Sequence, residues 1–156
     1  MKIVSGGQTG VDRAALDAAI KLKMNYGGWC PKGRKSEDGL IPKSYLLQET
    51  PSDDYSQRTE WNVRDSDGTL ILTWGEATGG TKLTWDLAAK LKKPFFVVDF
   101  ENEPAYRNIL DWIQNRRISI LNVAGPRESN RPGTIYEKSF EFLCSLFLSS
   151  DATLRK

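Results

Sequence analysis

The apolar residues of this chain fall into two alternating kinds of run. Short unbroken stretches occur at 3–5 (Ile3, Val4, Ser5), 69–73 (Thr69 to Thr73), 95–99 (Phe95 to Asp99) and 118–123 (Ile118 to Val123). Between them lie segments with apolar residues at helical spacing, i, i+3, i+4, i+7. The first covers 11–24, with Val11, Ala14, Ala15, Ala18, Ala19 and Leu22 on one stripe and Leu16 and Ile20 on a second. The others cover 81–92, a segment after Pro104 carrying Tyr106, Ile109, Leu110 and Ile113, and 134–148. Strands that are apolar throughout, rather than alternating, belong to sheets covered on both faces. The pattern therefore predicts an α/β fold: a doubly wound, mostly parallel, Rossmann-like sheet with helices on both faces. A single domain over 1–156 is expected from the length.

Residues 25–68 break the alternation. The run 27–35 reads as a short strand followed by a basic turn, 36–51 shows no sustained period, and 54–65 fits a short helix. A long irregular stretch in a compact domain is commonly a binding loop. Gly27 and Gly28 follow the first helical segment, where a left-handed exit costs least.

Composition narrows the chemistry. There is no histidine, which removes Ser-His-Asp and Cys-His catalysis and His-ligated metals. Cys30 and Cys144 form no CxxC, so no His/Cys metal site is expected; each reads as a packed residue, and a reducing cytoplasm is the expected compartment. With 22 Lys+Arg against 20 Asp+Glu, the net charge of +2 gives no footprint for nucleic acid. No apolar run is long enough for a bilayer, so neither a nucleic-acid nor a membrane partner is expected.

Two turns carry the ligand chemistry. Ser5-Gly6-Gly7-Gln8-Thr9-Gly10 joins the first strand to the first helix, and glycines there allow close approach of a phosphate to a helix N-terminus. A dinucleotide site would add an acidic residue about 20 positions on; that region holds Gly28, Trp29, Cys30, Pro31 and Lys32 instead. Thr78-Gly79-Gly80-Thr81-Lys82 is the second strand-to-helix turn, a possible nest of N–H groups. In a parallel α/β sheet both turns and the 123–134 loop fall on one edge, at the carboxyl ends of the strands. The candidate binding residues are therefore Ser5, Gly6, Gly7, Gln8, Thr9, Gly10, Gly79, Gly80 and Thr81, with Lys32 and Arg34 for charge and Trp29 to pack on a ring. On this reading Gly7→Val abolishes binding and leaves the fold intact. Arg58, grouped with Asp65 and Asp67, reads as a phosphate ligand or half of a helix ion pair, and Arg127 as a surface residue or a further anion contact. Asp12, Asp17 and Glu76 are the carboxylates available for acid–base work.

The stretch from Ser5 to Asp17, together with Gly28-Trp29-Cys30-Pro31-Lys32-Gly33-Arg34, 55–63 (YSQRTEWNV) and Gly79-Gly80-Thr81, resembles the molybdenum cofactor carrier family. The resemblance implies a Rossmann-like fold of the SLOG superfamily, which includes lysine-decarboxylase-like phosphoribohydrolases. It implies a homo-oligomer, dimer or tetramer, that binds a phosphorylated, ring-bearing small molecule, either a nucleotide or molybdenum cofactor. The phosphoribohydrolases carry P-G-G-x-G-T-x-x-E; here Gly79-Gly80-Thr81 is followed by Thr84 where the glutamate would stand. No complete catalytic motif is present, and catalytic residues are left unassigned. The leading expectation is a binding or carrier protein. The alternatives are a nucleotide-processing hydrolase and a nucleotide sensor.

Overall fold

The structure, a computed structural model, describes the backbone of residues 1–102 and 104–154, with side chains as far as residue 150. The domain expected over 1–156 also takes in 103, 155 and 156, which lie outside the described residues. In chain order the elements are β1 (Lys2–Val4), α1 (Val11–Lys21), β2 (Asn25–Gly27), β3 (Trp29–Cys30), β4 (Lys35–Ser36), β5 (Gly39–Leu40) and β6 (Gln48–Glu49). They continue with α2 (Tyr55–Arg64), β7 (Gly68–Thr73), α3 (Gly79–Lys90), β8 (Phe95–Asp99), α4 (Tyr106–Asn115), β9 (Ile120–Ala124) and α5 (Ile135–Leu154).

The central sheet has five strands in the order β2-β1-β9-β7-β8, every pair parallel. β7 is buried along its whole length, as an all-apolar strand between two helical layers must be. Helices α1, α4 and α5 pack together on one side, and α2 pairs with α3 on the other. This is the doubly wound α/β architecture that the pattern predicts.

The order has a further property. If the β9–α5 unit preceded β1, the five strands would read 3-2-1-4-5, the dinucleotide-binding order. The chain is thus a circular permutation of that layout, and Met1 and Ser150 accordingly line one small cavity at the amino end of the sheet. The direction of winding reverses between β9 and β7. The loops after these two strands splay apart and leave a crevice there.

Helix ends differ from expectation for a local reason. α1 stops at Lys21, because Lys23 takes the left-handed backbone (φ 54°) and the Met24 amide returns to the Ala19 carbonyl. Lys92 and Arg117 do the same after α3 and α4, at φ 55° and 53°. Basic residues thus supply the exits expected of glycine, where their charge also suits the negative end of a helix. Gly28 has another purpose: a Cβ there would sit 2.3 Å from the Ser5 carbonyl oxygen. The run 27–35 divides into β2, β3 and a tight turn, Lys32–Arg34. The aperiodic 36–51 forms the β4–β5 hairpin and the β6 strand that pairs with β3.

Candidate functional site

The crevice between β9 and β7 is a cleft with two adjoining halves. One half, about 390 Å³, is lined by Gln8, Asp12 and Arg58 from one wall, by the start of α3, and by Gly125, Pro126 and Arg127 after β9. The other, about 420 Å³, lies over Thr73, Trp74, Glu76 and Ala77 after β7 and reaches Arg131 and Ile135. Thr78, Thr81, Pro126 and Asn130 border both. All three loops expected at the carboxyl edge meet here.

The two glycine turns are built differently. In the first, the space over each glycine is already taken by the chain. A Cβ on Gly6 would lie 2.2 Å from Arg58 Nη1, one on Gly7 would lie 2.9 Å from Leu47 Cδ1, and one on Gly10 would lie 2.5 Å from the Pro126 carbonyl oxygen. The Gln8 amide donates to Asp12 Oδ2 at 3.2 Å, and the Thr9 amide donates to Gln8 Oε1 at 3.1 Å. Ser5 Oγ donates to the Val123 carbonyl at 2.7 Å, tying β1 to β9. The Thr9 hydroxyl donates to Glu37, which also accepts the Ser129 hydroxyl at 2.6 Å. Gly7 has φ 81° and a side-chain wall against it. Gly7→Val therefore disturbs folding before it reaches any ligand.

The second turn is open. Gly79 and Gly80 have no heavy atom within 4 Å of a built Cβ. The first amides of a helix have no acceptor within it, and Thr78, the N-cap of α3, makes no side-chain capping bond. The Thr81 and Lys82 amides turn back to the Thr78 carbonyl. This leaves the Gly79 and Gly80 amides without a hydrogen-bond acceptor among the described residues, at the positive end of a 12-residue helix, and both glycines line the cleft.

The polar wall opposite is an ion pair that spacing along the chain does not reveal. Arg58 Nη1 donates to Asp12 Oδ2 at 3.1 Å, 46 residues away in sequence. Asp65, expected near Arg58, instead accepts from Arg64 at 2.8 Å and from the Trp29 indole at 2.9 Å, and Asp67 accepts the Ser119 and Ile120 amides. Asp12 is only 4% exposed, and burial pushes its carboxyl above the usual range, against the pull of Arg58. The Arg58 guanidinium also lies 5.4 Å from the Tyr55 ring, over which Arg127 sits at 5.6 Å and Lys35 at 4.8 Å. Such cation–ring contacts hold the charged groups in place. Both arginines border the cleft.

Four buried side-chain polar atoms lack a partner among the described residues, and three belong to residues that line this cleft: Gln8 Nε2, Arg58 Nε and Thr73 Oγ1. Unsatisfied buried polar atoms are rare in folded proteins, and three of these four fall on residues of this one cleft.

The remaining candidates lie elsewhere. Trp29 packs edge-on against Trp61 at 4.8 Å. The Arg34 guanidinium is spent on the carbonyls of Ile41, Pro42 and Tyr45 at 3.1, 2.8 and 2.8 Å, bracing the 41–45 segment. Lys32 is exposed on the tight turn beside β3. Cys30 is fully buried, and burial raises its thiol above the ordinary range, as suits a packed residue. Asp17 accepts the Tyr45 and Tyr136 hydroxyls and so ties α1 to α5 and to the 41–47 segment.

The family model described as "Circularly permutated YpsA SLOG family" matches residues 3–147. The chain belongs to the circularly permutated YpsA SLOG family. The family's description names a circular permutation, and the strand order of this chain shows one. Within the SLOG fold the chain is also similar to a solved structure described as "Crystal structure of Putative molybdenum carrier protein" from Syntrophus aciditrophicus SB, with 48% identity, 94% of each chain covered and a TM-score of 0.87. No curated protein matches the chain. In this SLOG protein no described helix is long and apolar enough to cross a membrane.

Proposed function

We propose that the protein binds a phosphorylated, ring-bearing small molecule in the cleft between β9 and β7 and acts as a carrier. The observation that supports this most is that residues with unpartnered donors, Gln8 at Nε2 and Arg58 at Nε, line the same cleft as Gly79 and Gly80 at the free end of α3. An oxyanion between them would complete both. Arg127 adds charge at the rim. The 48% identical structure, described as a carrier, points the same way.

These residues suit molybdenum cofactor as they suit a nucleotide, through its phosphate and ring. When bound, that cofactor brings a redox-active metal centre. What the chain supplies is anion binding and orientation: Gly79, Gly80, Gln8 and Arg58 hold the phosphate, and Trp74 walls the ring. Ser5, Gly6, Gly7, Thr9 and Gly10 then act from behind, setting Gln8 and Asp12 in place.

The test is calorimetric titration with inorganic phosphate and AMP. Gly80→Val adds its side chain to open space at the α3 turn and leaves the fold standing. We expect it to weaken both ligands by about tenfold or more, equivalent to about 1.4 kcal/mol. Equal affinities in wild type and variant would refute the reading. Native mass spectrometry of protein from its own cells would report cargo and subunit number together, and so test the expected dimer or tetramer.

A further inference from the structure

The two halves of the cleft are lined differently. The half at the α3 N-terminus presents donors: the Gly79 and Gly80 amides, Gln8 and the guanidinium groups of Arg58 and Arg127. The half over β7 presents a flat wall and the Glu76 carboxylate, with Arg131 at its border held by Glu101. Trp74 lies stacked on Phe100, with centroids 4.6 Å apart and planes 18° apart, and Phe100 is held edge-on by Phe142 at 5.1 Å. That makes Trp74 a fixed aromatic surface. Beside it the Thr73 hydroxyl, on a residue 3% exposed, has no partner.

Glu76 stands on the same wall. Its neighbours' carboxylates are spent: Asp12 on Arg58, Glu101 on Arg131 at 3.2 Å, and Glu128 on the Gly133 and Tyr136 amides. Glu76 alone among these has neither an ion pair nor a hydrogen bond within the described residues. A free carboxylate at the ring end of an otherwise anion-binding cleft calls for a ligand whose ring donates.

We infer that Glu76 reads the ring of the bound molecule and selects a 2-amino-4-oxo-pyrimidine edge, the one shared by guanine and pterin. That edge presents a ring N–H beside an exocyclic amine, two parallel donors that match the two oxygens of one carboxylate. Adenine presents a single amine beside a ring nitrogen whose lone pair would face the carboxylate. Thr78 and Thr81 border both halves, and a molecule lying across them would bring its ring to Glu76 with its phosphate at α3. This assignment rests on the anion reading above and adds the ring class and its selecting residue.

The experiment is calorimetric titration of wild type and Glu76→Gln with GMP, neopterin monophosphate, AMP and inorganic phosphate. Glu76 is exposed, so the variant folds. We expect GMP or neopterin monophosphate to bind at least about tenfold more tightly than AMP, the discrimination of one bidentate pair. Glu76→Gln then removes that advantage and leaves AMP and phosphate unchanged. Whichever of the two is tighter identifies the source of the edge. If all three organic phosphates bind alike, or Glu76→Gln changes none of them while phosphate still binds, the ring assignment is overturned and the anion site stands. If not even phosphate binds, both fall.

Discussion

Residues 5–10 and 78–81 are both glycine-bearing turns from a strand to a helix, and both lie at the carboxyl edge of one sheet. At the first, each glycine sits under the chain's own atoms: Arg58 over Gly6, Leu47 over Gly7 and the 126–128 backbone over Gly10. At the second, Gly79 and Gly80 face empty space. A missing Cβ allows something to come close; it does not say whether that something is a ligand or the protein itself. Here the first turn is packed internally and sets Gln8 and Asp12, and the second is open, which makes it the contact surface in the function proposed above.

The sharpest break of this comparison concerns glycines of each kind. Gly10→Ala places a methyl 2.5 Å from the Pro126 carbonyl oxygen at φ 81°, against backbone that cannot swing away. We expect a loss of about 3 kcal/mol or more, read in urea unfolding. Gly80→Val, the binding variant above, should by contrast unfold within about 1 kcal/mol of wild type. Equal and large losses at both positions would erase the distinction between scaffold and contact turn.

Next in size is the ion pair behind the first turn. Arg58→Gln leaves the buried Asp12 carboxylate without its partner. The expected cost is about 3 kcal/mol. Adding Asp12→Asn should restore much of that stability but not anion binding, because the Arg58 charge stays absent. A double variant that regains phosphate affinity would place the anion away from Arg58.

The smallest effect is at the hairpin over the first turn. The hydrogen bond from Arg13 pulls the Asp38 carboxyl down from 3.8 to about 2. A lowered native value means fewer protons bound than in the unfolded chain, so this stabilisation exists above about pH 4 and is lost as pH falls toward 2. The Asp38 side chain is 47% exposed. Screening by solvent therefore limits the contribution to roughly 0.5 kcal/mol. Asp38→Asn should flatten the acid limb of the stability curve by that amount, in urea midpoints taken from pH 5 to pH 2.5. Asp12 slopes the other way: burial raises its carboxyl, so its contribution is largest at acid pH and fades as pH rises past its ordinary value.

Much of the architecture could be read in the pattern of residues. Unbroken apolar strands alternating with helical stripes imply a parallel sheet between helical layers, because each element must bury its own apolar face. The same pattern puts the strand-to-helix turns on one edge, and glycine pairs mark two of them. Helix ends were harder to read, since Lys23, Lys92 and Arg117 take the left-handed exits usually left to glycine. Trp29 and Arg34 look like ligand groups in the sequence, and each is occupied by Asp65 or by loop carbonyls in the fold.

What sequence alone determined was local: which segments form strands and helices, where the backbone can be approached closely, and that histidine chemistry is absent. The order of the strands, the crevice between β9 and β7, the pairing of Asp12 with Arg58 and the isolation of Glu76 were decided by tertiary structure. The reason is physical. Periodicity records which face of an element is buried, whereas a site is a matter of which distant elements meet, and contacts between residues 46 apart leave no mark on the spacing of either.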